Sequence, residues 1–120
     1  MSGWTTARIV HVAERAAWER AQHDGAYRAA SLDTEGFIHC STPWQVGRVA
    51  DALFAGRDDL VLLVIDPSRL ESEPVFENCE GGIEPFPHVY GDVPVNAVVD
   101  VHGLRWNQEV AAFELPAGYR

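Results

Sequence analysis

The run Leu60-Val61-Leu62-Leu63-Val64-Ile65, closed by Asp66-Pro67, decides the fold of this 120-residue chain. It is far shorter than the roughly 20 apolar residues that cross a bilayer, and it lacks the polar alternation of a strand with one wet face. It therefore predicts the central strand of a sheet covered on both sides, with the Asp-Pro pair as its stop. Just upstream, Thr42-Pro43 predicts a helix start, a hydroxyl cap followed by proline at the first helical position. That helix keeps Val46, Val49, Ala50, Leu53 and Phe54 on one face and ends at Gly56. Further upstream, Ile9 to Val12 predicts a first strand. Glu14 to Asp24 predicts a helix with Ala17, Trp18 and Ala21 on one face, and Gly25 is its left-handed stop.

Between these pieces, Ala26 to Glu35 carries Ser31, Asp33 and Thr34 without helical period and is expected to be a loop leading into Phe37-Ile38-His39. Downstream, Pro74 to Glu77 is a weaker strand and the stretch around Gly81-Gly82 a loop. Ala97 to His102 is a strand with one polar face, and Phe113 to Pro116 a short edge strand. The order β-α-β-α-β-β-β gives a compact α+β architecture, two helices on one or two small sheets, in a single domain over residues 1–120.

Composition narrows the functional classes. With 47% hydrophobic and 22% charged residues, the chain is an ordinary globular protein. Nine basic residues, all arginine, against eighteen acidic ones give a net charge of −9. That balance argues against non-specific nucleic-acid binding, which relies on a basic surface. The absence of lysine removes Schiff-base chemistry and the lysine-dependent phosphate loop. Residues 1–8 lack the basic region and apolar core of a signal peptide, so a cytoplasmic location without membrane association is expected. In that compartment Cys40 and Cys79 are expected as free thiols.

Two segments set a histidine in an apolar run edged by glycine: Glu35-Gly36-Phe37-Ile38-His39-Cys40-Ser41 and Phe86-Pro87-His88-Val89-Tyr90-Gly91. His39 is the strongest candidate for ligand contact. Gly36 allows a close backbone approach, and Ser41, Thr42 and the following helix start put two hydroxyls and free N–H groups beside it. His11, on the first strand, is either a core histidine satisfied by a backbone carbonyl or one aimed into a cleft. His88 and Tyr90 make either a structural hydrogen-bonded pair or a site wall. Glu77, at a strand end, is either a solvated carboxylate or an acceptor for a ribose hydroxyl or a developing positive charge. No metal is expected, because His39 and Cys40 are adjacent and point to opposite faces of a strand, and no zinc spacing occurs. Cys40 inside an apolar strand suits the core better than nucleophilic work. Ser41 lacks the nucleophile-elbow glycines, and Gly81-Gly82 is no dinucleotide fingerprint.

The pattern of Ile9-Val10-His11, Trp18, Gly25, Tyr27, Ser31-Leu32, the His39 segment, Gln45-Val46, the Leu60–Pro67 run, Glu77, the His88 segment and Ala97-Val98 resembles the bacterial domain-of-unknown-function 952 family over nearly the whole chain. That family is similar to the ADP-ribosyltransferase superfamily, nearest its RNA 2′-phosphotransferase branch. By position, His11 matches that superfamily's first-strand histidine, Gly25 the glycine after the helix, and His39 the second histidine. The resemblance implies a split β-sheet with a cleft between its halves, where His11 and His39 hold the ribose and nicotinamide of NAD. Neither Glu77 nor Glu84 aligns cleanly with the superfamily's late glutamate, and no arginine falls in its phosphate-gripping motif.

The expectation is an ADP-ribosyltransferase-like protein that binds NAD or a related small-molecule nucleotide. It would transfer ADP-ribose or act on a phosphorylated ribose, with His11, His39 and Glu77 as the catalytic set. Ser41 and Thr42 would meet phosphate or ribose hydroxyls, while His88 and Tyr90 line the opposite wall. The alternatives are a nucleotide-binding module without turnover, or an interaction module that presents aromatics such as Trp4 and Trp106 to a protein partner.

Overall fold

In the computed structural model the six residues Leu60–Ile65 form β4, and every one of them is buried. The structure describes residues 7–78, 82 and 84–119. The expectations for Trp4, Cys79, Gly81 and the first six residues lie outside that set. β4 pairs antiparallel with β1 (Ile9–Glu14) on one side and with β8 (Val98–Gly103) on the other. Its alternating side chains divide the interior in two. Val61, Leu63 and Ile65 join Ile9, Ala13, Trp18 and Ala21 in one cluster, while Leu60, Leu62 and Val64 join Val10, Val46 and Ala50 in the other. A strand covered on both sides needs no polar face, which is why its sequence shows no alternation.

The first cluster is roofed by α1 (Arg15–Asp24). Gly25, at φ 88°, ends it by donating its N–H to the Ala21 carbonyl at 2.8 Å. The second is roofed by α3 (Val46–Leu53), whose Val46 and Ala50 are buried. Among the described residues the chain is thus a mixed α/β fold with three helices and several small antiparallel sheets. The expected loop over residues 26–35 instead holds β2 (Ala26–Tyr27) and a single helical turn, α2 (Ser31–Thr34). β2 exists because Tyr27 pairs with Val93 of β7 (Val93–Pro94), a long-range partner that no local period announces. Gly36 follows α2 at φ 89°, with its N–H on the Ser31 carbonyl at 3.0 Å. A Cβ there would meet nothing within 4 Å, so the left-handed backbone, and not a close approach, calls for glycine.

A second three-stranded sheet runs β3 (Ile38–His39), β6 (Phe86–Val89) and β5 (Val75–Glu77). The tail forms the expected edge strand, β10 (Ala112–Glu114), paired with β9 (Arg105–Asn107). Trp106 on β9 is half-buried and packs edge-on to Phe113 at 5.0 Å, so it is a core aromatic and not the exposed one expected. The most exposed aromatic among the described residues is Trp44, 67% accessible.

The start of α3 departs from the expected hydroxyl cap. Residues 43–45 form a turn, with the Val46 N–H on the Thr42 carbonyl at 3.2 Å, and the Thr42 hydroxyl is buried without a hydrogen-bond partner. The capping role passes to Gln45, as in the reciprocal half of a capping box. Its Oε1 accepts from the Thr42 N–H at 2.9 Å. Its Nε2 donates to Glu84 at 2.7 Å and to the Pro85 carbonyl at 2.9 Å, which ties α3 to the segment entering β6. Gln45 is only 4% exposed, so its loss strands polar groups away from water. Gln45→Ala is expected to cost about 2 kcal/mol in urea unfolding at unchanged m-value; a cost below about 0.5 kcal/mol would show that the tie is not structural.

Candidate functional site

Among the described residues, the two three-stranded sheets are joined by a backbone bridge at one place. Val10 of β1 and Ser41, two residues past β3, exchange both backbone hydrogen bonds at 2.8 Å in an isolated antiparallel bridge. Past it β1 continues beside β4, whereas His39 pairs with His88 of β6. Where the strands part, the His11 side chain takes over from the backbone ladder. Its Nδ1–H donates to the His39 carbonyl at 2.5 Å, and its Nε2 accepts from the Tyr27 hydroxyl at 2.9 Å. A carbonyl accepts only, which fixes the tautomer. Burial then drives the imidazole down from its usual 6.5 to about 4, and it drives the Tyr27 phenol up to about 12. Both ring nitrogens are used within the protein, so His11 presents only ring carbon to anything beside it.

The parting leaves a cleft of about 540 Å³, within the range of small-molecule sites. One wall is β1 with Val10, His11 and Val12, and the floor is His39, Cys40 and Ser41. The facing wall is α3, where Val49, Ala52 and Leu53 turn an apolar surface to the cavity and Arg48 stands among them. Phe86 and His88 close the end. The lining is chiefly hydrocarbon with a few polar groups, as expected for a site that takes a planar or apolar moiety and orients it by few hydrogen bonds.

Behind the floor, the register of β3, β6 and β5 puts His39, His88 and Val75 in line, and Phe37, Tyr90 and Glu77 two residues along their strands share that face. Phe37 stacks on the His88 ring at 4.0 Å and touches His39 edge-on at 4.9 Å. Two carboxylate–imidazole pairs result. His39 Nε2–H donates to Glu35 at 2.8 Å, on the rim, with its side chain 41% exposed. The fully buried His88 donates Nδ1–H to Glu77 Oε1 at 3.0 Å, and the Tyr90 hydroxyl donates to the same oxygen at 2.5 Å. The Tyr90 hydroxyl, then His88, hold the Glu77 carboxyl below its ordinary range.

Of the residues singled out in the sequence, His11, His39, Ser41 and His88 line one cleft. Glu77 and Tyr90 stand behind it as partners of His88, and Thr42 is not one of its lining residues. Cys40 also lines it, but burial pushes the thiol up to about 12, so it stays protonated and is no nucleophile. Sequence reasoning missed Arg48, Phe86 and Glu35. Helical spacing from Val49 and Ala52 would have placed Arg48 by the cleft wall, and the His39–Glu35 separation is that of a local pair. No group of three or more His, Cys, Asp or Glu capable of holding a metal comes together among the described residues.

Residues 12–101 match the model of a family described as "Protein of unknown function (DUF952)". The crystal structure of protein CC0527 from Caulobacter crescentus is similar at a TM-score of 0.80 and 29% identity, covering 91% of this chain and 95% of that chain. The solution NMR structure of CC0527 is similar at a TM-score of 0.72 and 28% identity, covering 88% and 90%. No curated protein matches the sequence significantly. Among the described residues, no helix is long and apolar enough to cross a membrane.

The His11 bonds carry a pH signature. The unfolded imidazole binds a proton below 6.5 and the folded one only below about 4. Stability from the neutral ring is therefore complete above the unfolded value and is lost as pH falls toward the folded value, by roughly 3 kcal/mol in all. Chemical unfolding at intervals from about pH 7 to about pH 4.5 is expected to show this fall in the wild type and not in His11→Gln, which keeps a donor for the His39 carbonyl. Equal slopes in the two proteins would mean that the ring is not held neutral.

Proposed function

The chain belongs to the DUF952 family, and from that premise we propose that its cleft binds a nucleotide, with NAD as the ligand to test first. The observation that supports this reading is the shape of the parting between β1 and β3: one bridge at Val10 and Ser41, then a cavity with apolar walls and a polar floor. That arrangement fits the split sheet expected from the resemblance to ADP-ribosyltransferases. A base or nicotinamide ring packs against Val49, Leu53 and Phe86, where apolar burial rewards a flat ring. The ribose meets the floor, where His39 on the rim and Ser41 below it are the hydrogen-bonding side chains.

The residues divide the work. His39, oriented by Glu35, contacts the ligand directly. His11 is a brace that sets the distance between the two halves. His88 closes the end of the cleft, and Glu77 and Tyr90 hold its ring in place from behind. A transferase step needs an acceptor group at the ribose carbon as nicotinamide leaves. Glu77 stands one side chain away from the cavity with both of its contacts made to His88 and Tyr90. Its position favours binding without turnover over transfer of ADP-ribose.

Calorimetric titration with NAD, with free nicotinamide followed by chromatography in the same samples, tests both parts. Saturable binding is expected, weakened about tenfold in His39→Ala by loss of one hydrogen-bonded contact, with no nicotinamide released. Release at a steady rate would make the protein a transferase or hydrolase. Absence of binding at millimolar NAD would reject the nucleotide reading.

A further inference from the structure

Arg48 is the one arginine on the cleft wall among the described residues, and it is already occupied. Its Nη2 donates to both oxygens of Glu84, at 3.0 and 3.1 Å, across a chain separation of 36 residues. Gln45 Nε2 donates to Glu84 Oε1 as well, at 2.7 Å. A carboxylate thus sits in a ready-made set of donors at the junction of α3 and the segment entering β6. First Arg48 and then Gln45 hold it below the ordinary carboxylate range.

The two partners differ in how firmly they are held. Gln45 is buried and anchored at its other end by the Thr42 N–H. The Arg48 side chain is 65% exposed and that of Glu84 35% exposed, so their ion pair is screened by water and weak, in the range of exposed pairs. An anionic group entering the cleft would offer Arg48 the same two-oxygen geometry with more charge, which the guanidinium favours. The chain as a whole carries a net charge of −9, so an anionic ligand has little attraction besides Arg48 to draw it in.

We propose that Glu84 is a built-in competitor for Arg48: a ligand's phosphate reaches the guanidinium only by displacing this carboxylate, so Arg48 favours phosphorylated over unphosphorylated nucleosides and Glu84 limits how strongly it does so. The inference rests on the nucleotide reading above. Glu84 sets the threshold and Arg48 receives the phosphate. Gln45, tied to Thr42 and Pro85, stays in place as a fixed donor for the displaced carboxylate.

The test compares NAD with adenosine by calorimetry on the wild type, Glu84→Gln, Arg48→Ala and the double variant. Glu84→Gln keeps the side-chain volume and an acceptor for Gln45, so the fold is retained; thermal melts of the same samples verify it. Glu84→Asp, which shortens the reach to Arg48, serves as the second variant. Glu84→Gln is expected to tighten NAD about fivefold, the worth of an exposed pair no longer in competition, and to leave adenosine unchanged. Glu84→Asp is expected to tighten NAD by a smaller factor. On the Arg48→Ala background the Glu84→Gln gain should vanish. If NAD binds the wild type but Glu84→Gln leaves it unchanged, or tightens adenosine equally, the competitor role is overturned while the nucleotide cleft stands. If neither ligand binds any variant at millimolar concentration, both readings fall together.

Discussion

The structure depends on what happens to the His39 carbonyl. At Val10 and Ser41 the first strand and the third are bonded like neighbours in one sheet, yet one step further they separate. The carbonyl at the fork has lost its ladder partner. An unpaired backbone acceptor shut away from water costs about as much as a lost hydrogen bond. The His11 imidazole removes that cost by donating to it, and the Tyr27 hydroxyl satisfies the ring's other nitrogen. Tyr27 is itself fixed by β2, so a two-residue strand far from the cleft determines how the fork is braced. A ring spans more than a backbone bond does, and the space it opens is the cleft.

The remaining walls follow from the same economy of polar groups. α3 is held to the β6 segment by a buried glutamine that serves both ends and by the exposed Arg48–Glu84 pair, which leaves the helix's second apolar stripe free to face the cavity. Phe37 fills the gap between the two imidazole–carboxylate pairs, stacked on one ring and edge-on to the other. The outcome is a site with unlike ends: an exposed His39–Glu35 pair at the rim and a buried His88 secured from behind by Glu77 and Tyr90. Only the first can change partners without disturbing the core.

Much of this was legible in the sequence wherever a local pattern carried it. The Leu60–Ile65 run, the α1 face with Trp18 and Ala21, and the stop at Gly25 all depend on residues within a turn or a strand of one another. The shared face of Phe37, His39, His88 and Tyr90 was also readable, since two-residue spacing within each segment puts each pair on one side of its strand. What escaped was set by distant pairing. The loop over residues 26–35 gained a strand from Val93, and Gln45 rather than Thr42 capped α3 because Glu84 and Pro85 fold back onto it. The sequence is compatible with His11 as a core residue or as one aimed into a cleft, and the choice lies with a carbonyl 28 residues away. Arg48 has no sequence signal of its own and Glu84 was weighed only against a superfamily glutamate, because it is the fold that sets the two together at the cleft.

The central claim is that a neutral His11, protonated at Nδ1, braces the fork. Nitrogen-15 NMR of the imidazole rings through a pH titration measures it directly, because the two tautomers and the cation have distinct ring shifts. The His11 ring is expected to keep its Nδ1–H form through the usual imidazole range and to charge only near about 4. A ring that carries its proton on Nε2, or that titrates near 6.5 like an exposed imidazole, would contradict it.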